Sequence, residues 1–174
     1  LDFGSGKSIG PMASFFGNFA VLVRAYVYIM MLGREGLIDV SEKAVLNANY
    51  IRVKLKEYYD TPIDRTCMHE CVFSAKRQVQ KSGVHAIDIA KALIERGFHP
   101  PTIYFPLVVD EALMIEPTET ESKETIDGFI DAMIEIAKLA ESDPERIKNA
   151  PNNTPVSRPD ETRAARELKL TCNL

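Results

Sequence analysis

Five consecutive residues, Cys67-Met68-His69-Glu70-Cys71, place three potential metal ligands in one short segment. On a strand, where side chains alternate, Cys67, His69 and Cys71 share a face. Three neighbouring ligands on one face make a poor tetrahedral shell, and no second ligand cluster follows, so the segment reads as a half-buried strand with small apolar thiols. Gly4-Ser5-Gly6-Lys7-Ser8 has the ending of a phosphate-binding loop, but the glycine required five positions before Gly6 is Leu1, and no strand precedes it. Arg24 lies in an almost wholly apolar run and needs a carboxylate, a phosphate or a route to water; an ion pair is the leading role, anion binding the other. His99, between Phe98 and Pro100-Pro101, is either an imidazole aimed by a stiff segment or an ordinary loop histidine. Glu116-Pro117-Thr118-Glu119-Thr120-Glu121 concentrates acid ahead of a helix, where capping accounts for most of it. The sequence shows no nucleophile paired with a base, no dinucleotide fingerprint and no helix with metal-ligand spacing. On this chemistry alone the chain reads as a non-catalytic α+β domain.

The elements that carry these groups come from a chain of 174 residues, 45% apolar and 26% charged, which is a domain's worth of core. A net charge of −4 lacks the basic excess that a nucleic-acid backbone demands. Three cysteines and no signal-like start point to a reducing compartment, the cytoplasm. Leu1-Asp2-Phe3-Gly4 has no initiator methionine, so the chain is expected to begin inside a longer polypeptide. The run 15–32 is apolar almost throughout. Arg24 at its centre would cost roughly 2.5 to 3.5 kcal/mol in lipid, so the run reads as a central or interface helix needing cover from other protein, not as a membrane span.

Positions 36–59 form a second amphipathic helix, and the short link Gly33-Arg34-Glu35-Gly36 predicts an antiparallel pair with the first. A strand follows at Cys71-Val72-Phe73-Ser74, then a polar loop over 76–83 and a helix over 86–96 capped by Gly97. Two short strands, Ile103-Tyr104-Phe105 and 112–116, flank a turn. The last strong helix, 120–141, carries the stripe Ile126, Phe129, Ile130, Met133, Ile136 and Ala137, with Thr118 or Thr120 as its cap. The expected organisation is an opening loop over 1–14, an α+β domain over 15–148 with a short, mostly antiparallel sheet and helices on one face, and an extended tail over 149–174.

Strung together, several blocks resemble one family. They are Ser14-Phe15-Phe16-Gly17-Asn18-Phe19, Leu22-Val23-Arg24-Ala25-Tyr26, Val45-Leu46-Asn47-Ala48-Asn49-Tyr50, Cys67-Met68-His69-Glu70, Gly97-Phe98-His99-Pro100-Pro101-Thr102 and Met114-Ile115-Glu116-Pro117-Thr118-Glu119. In this order they are similar to the C-terminal part of glycine dehydrogenase (decarboxylating), the P-protein family of the glycine cleavage system, in its second-subunit form. Thr154-Pro155-Val156 and Arg163-Ala164-Ala165-Arg166 extend the likeness into the tail, which departs from it over 167–174.

The resemblance implies the small C-terminal domain of a fold-type I pyridoxal-phosphate enzyme. The family reaction decarboxylates glycine and passes its aminomethyl group to the lipoyl arm of the H-protein. The cofactor is expected in the full-length enzyme, bound to a lysine of a large domain of the same polypeptide, and none is expected in this chain alone. The implied partners are that large domain, the other P-protein subunit, the H-protein and glycine, with no nucleic acid, membrane or metal. Arg24, His99, Thr102 and Glu119 become candidates for the substrate cleft or a domain interface. The alternative is a stand-alone, non-catalytic α+β interaction domain.

Overall fold

The computed structural model describes Gly6 and residues 16–168. The phosphate-loop-like segment apart from Gly6, and Cys172, lie outside the described residues. The chain divides into two packed units, Leu1–Glu42 and Lys43–Leu174.

The first unit carries the N-terminal part of α1 (Phe19–Leu55). Asn18 starts this helix, because its side-chain oxygen accepts the N–H groups of Ala20 and Val21 at 3.1 and 3.3 Å. The two helices predicted from sequence form one helical run broken at Gly33, whose φ of 61° lies in the left-handed region that favours glycine. Gly36 is required too, since a Cβ there would stand 2.9 Å from the Leu32 Cβ. Among the described residues the apolar run is uncovered, as Phe19, Tyr26 and Met31 are 78%, 65% and 81% exposed. Among the described residues no helix is long and apolar enough to cross a membrane.

The second unit is α+β. Its elements after α1 are β1 (Cys71–Ser74), α2 (Lys76–Ser82), α3 (Ala86–Glu95), β2 (Thr102–Ile103), β3 (Ala112–Ile115), α4 (Lys123–Ser142), α5 (Pro144–Lys148) and α6 (Glu161–Arg166). The strands form an antiparallel sheet in the order β1-β3-β2, with Phe73 opposite Leu113 and Thr102 opposite Met114. Cys71, Phe73, Leu113 and Ile115 enter the core against Ile89 and Leu93 of α3 and Ile130 and Met133 of α4. This is the sheet with helices on one face that the sequence predicts. Tyr59 closes the core, its ring 6.2 Å from Phe73 and its hydroxyl donating to the Met133 carbonyl at 2.8 Å.

Local expectations differ from the structure in three places. Of residues 76–83, Lys76–Ser82 are helical, not a loop, and Gly83 caps them in the left-handed conformation. α2 buries Gln78, whose amide donates to the Tyr58 carbonyl at 2.8 Å, and Arg77 pairs with Asp60, so polar bonds seat this helix where apolar periodicity is silent. β2 ends at Ile103 because Tyr104 turns to φ 58°. Ser122, not Thr118 or Thr120, caps α4: its hydroxyl accepts the Thr125 N–H at 3.2 Å, while the two threonine hydroxyls bond each other.

Charged groups fasten residues 144–158 to α3. Glu95 accepts from Arg146 and from the Asn152 N–H, and Arg158 donates to Asp88 at 2.7 Å and to the Ala150 carbonyl at 2.7 Å. Beyond them α6 is a short helix capped by the Asp160 carboxylate. Burial works against the charge of Glu95, but the bonds from Arg146 and Asn152 outweigh it and hold the carboxyl below its ordinary pKa of 4.5. A depressed carboxyl stabilises the fold above its unfolded-state pKa, and that contribution fades as pH falls through the folded value. Accordingly, Glu95→Gln should lower the unfolding free energy at pH 7 by roughly 1–3 kcal/mol. In urea titrations the difference from wild type should shrink as the pH falls below 4.5 and through the depressed pKa of Glu95.

Candidate functional site

A cavity of about 500 Å³ opens in the second unit where several pieces of chain converge. α1 supplies Ile51, 2% exposed, as floor. α3 ends where Gly97, at φ 81°, reverses the chain, and Phe98 N–H returns to the Leu93 carbonyl at 3.0 Å. That reversal sets the Phe98 ring edge-on to Phe129 of α4, 5.6 Å between centroids, as one wall. His99-Pro100-Pro101 then leads into β2, and the pairing of Thr102 with Met114 brings the β2 side of the cavity beside the β3 side. The last pieces are the link 116–121, contributing Glu116, Pro117, Thr118 and Glu121, and the start of α4, with Thr125 and Ile126.

The polar groups of this lining are two carboxylates, three threonine hydroxyls and one imidazole, with no Lys or Arg among them. His99 Nδ1 lies 3.0 Å from the Pro100 carbonyl. A carbonyl only accepts, so Nδ1 carries the hydrogen and the neutral ring keeps its lone pair on Nε2. An imidazole so fixed can accept a proton or a hydrogen bond at one defined atom. The carboxylates and hydroxyls suit a ligand bearing hydrogen-bond donors or a positive charge.

His69 Nε2 stands 3.4 Å from Glu116 Oε1. Among the described residues no group of three His, Cys, Asp or Glu side chains is arranged to hold a metal ion. Burial pushes the thiols of Cys67 and Cys71 up, which keeps them protonated at neutral pH and chemically quiet. Asn49 clamps this segment, exchanging bonds of 2.7 and 3.0 Å with the Cys67 backbone.

His99 and Thr102 therefore line one cavity, together with Glu116 of the acidic segment. Glu119 belongs to the same link, but its neighbours Thr118 and Glu121 are the ones in the lining. Arg24 is exposed on α1 in the unit Leu1–Glu42, whereas every residue of the lining belongs to the other unit. Sequence reasoning missed Phe98, Phe129, Ile51, Met114 and Thr125 as cavity residues. Their signal is tertiary, arising from the pairing of β2 with β3 and the packing of α1 and α4.

A three-stranded antiparallel sheet packed against helices, with a cavity lined by both, makes the second unit a small α+β domain. Residues 40–158 match the family model for the glycine dehydrogenase C-terminal domain, and the chain belongs to that family. It is 56% identical over 174 residues to a probable glycine dehydrogenase (decarboxylating) subunit 2 of Chlorobium phaeobacteroides, covering 100% of this chain and 36% of that protein. A protein of the same description from Caldanaerobacter subterraneus is 58% identical over 167 residues, covering 95% and 34%. The chain thus spans about a third of the length of the curated relatives it matches. A crystal structure of glycine decarboxylase (P-protein) of the glycine cleavage system, in inhibitor-bound form, is similar at a TM-score of 0.51 and 24% identity. The match covers 63% of this chain and 24% of that one, and shows the fold.

The aromatic wall makes a direct test of the cavity's construction. Phe98→Ala should cost about 2 kcal/mol in urea unfolding, less than for a fully buried phenylalanine because Phe98 is only partly buried. Phe98→Leu should recover most of the loss.

Proposed function

We propose that this chain is the C-terminal domain of a glycine-decarboxylating subunit of the glycine cleavage system and that the cavity is its part of the substrate cleft wall. The observation that carries the reading is a cavity lined by His99, Thr102 and Glu116 in a member of the glycine dehydrogenase C-terminal domain family. His99 Nε2 would bind or move a proton, and Thr102 would orient the ligand by its hydroxyl. Glu116 and Glu121 would favour the ammonium end of an amino acid. Glu119 would support the link between them, and Arg24 would serve an interface.

Pyridoxal phosphate, on which this family depends in general, needs an amine for its Schiff base and donors for its phosphate. The cavity lining has neither lysine nor arginine, so the residues of this cavity do not fit that group. The cofactor would be held by a large domain elsewhere in the polypeptide. In a polypeptide about three times as long, like the relatives, further protein would cover the exposed apolar stretch of α1. The other subunit and the lipoyl H-protein would be partners, in the cytoplasm.

The test uses the full-length subunit with its companion subunit and H-protein. His99→Gln should lower kcat/KM for glycine decarboxylation by about tenfold or more. His85→Gln, outside the cavity lining, should leave it unchanged. A wild-type kcat/KM for His99→Gln removes the cavity from the cleft. The chain alone should not decarboxylate glycine, and activity in the isolated chain would overturn the reading.

A further inference from the structure

We infer that Asn47 and Tyr50 of α1 are positioning residues that set the acidic wall of the cavity against its apolar floor; the inference rests on the cavity being the substrate cleft wall. The link 116–121 joins β3 to α4, and its turn is built on the Thr118 carbonyl, which accepts the Glu121 N–H at 3.3 Å. The same oxygen accepts a second bond, 3.1 Å long, from Asn47 Nδ2. A carbonyl has two lone pairs, so both bonds fit, and because it only accepts, the amide nitrogen of Asn47 must face it. About one helical turn further along α1, the Tyr50 hydroxyl donates to Asp127 Oδ1 at 2.7 Å.

Asp127 also accepts from Lys123, and the ammonium groups of Lys123 and Lys54 lie 5.6 and 5.5 Å from the centre of the Tyr50 ring. The start of α4 is thereby tied to α1 by the Tyr50–Asp127 hydrogen bond and the Lys123–Tyr50 cation–π contact, while the Lys54 contact lies within α1. Ile51, four residues after Asn47 and therefore on the same side of the helix, is the cavity floor. One helix thus carries the floor and, through two side chains, holds the wall formed by Glu116, Thr118, Glu121 and Thr125. The Asn47 bond is exposed, so water can replace it and its loss alters stability little. What water cannot replace is the position of the turn it fixes.

The test again uses the full-length subunit with its companion and H-protein. Asn47→Asp keeps the shape but has no donor, and Tyr50→Phe removes one hydroxyl. Each should raise KM for glycine by about fivefold while kcat stays within about twofold, and together they should raise it by less than the product, because both hold one wall. Thermal midpoints should remain close to wild type. Wild-type KM in both variants, alongside a damaged His99→Gln, overturns the positioning role and leaves the cavity reading standing. A lowered midpoint with unchanged KM makes the two residues structural only and likewise overturns it. Wild-type kinetics in His99→Gln overturns the cleft reading and this inference with it.

Discussion

The antiparallel register of β3 between β1 and β2 is the constraint on which the second unit depends. Side chains alternate along a strand, so a slip of one residue would carry Leu113 and Ile115 out of the core and bring Met114 in. Burial of Leu113 beside Phe73, under the helices, makes that slip costly and pins the register from both neighbours. Everything at the cavity follows from it. Thr102 meets Met114, the chain leaves β3 at Glu116, and the link to α4 crosses the end of the sheet where α1 and α4 can reach it.

Charge is spent in two different ways in this fold. Around α3, carboxylates are matched: Asp88 by Arg158, Glu95 by Arg146 and Asn152, and Glu111 by His85 and the Ala86 N–H. Asp88 and Glu111 accept from N–H groups at the start of α3, where the helix dipole adds to the attraction, and these contacts hold the later chain in place. In the cavity the two carboxylates of the lining face no lining cation. Glu116 stands instead 3.4 Å from His69, which lies outside the lining.

Much of the fold was legible in sequence because it rests on apolar periodicity. α3 and α4 lie within a residue or three of their predicted bounds, and β1 is where its apolar run sits. α2 escaped because Arg77 and Gln78 seat it by hydrogen bonds, which leave no apolar stripe to read. The cap of α4 was misplaced by two or four residues because Thr118, Thr120 and Ser122 are chemically alike. Only the turn at the Thr118 carbonyl selects among them. The apolar stretch of α1, read from sequence as needing cover from other protein, is exposed among the described residues.

By itself the sequence determined the family, through blocks such as Gly97-Phe98-His99-Pro100-Pro101-Thr102, and the α+β class, through patterns whose period is local. It also fixed which residues have the chemistry to act. Which of them meet was decided only by tertiary structure. His99, Thr102 and Glu116 converge because β2 and β3 pair and α3 reverses at Gly97, whereas Arg24 lies in the other unit. Periodicity encodes which face of an element is buried; it does not encode what that face is buried against. That depends on contacts such as Asn47 to Thr118 and Tyr50 to Asp127, made across 71 and 77 positions of chain.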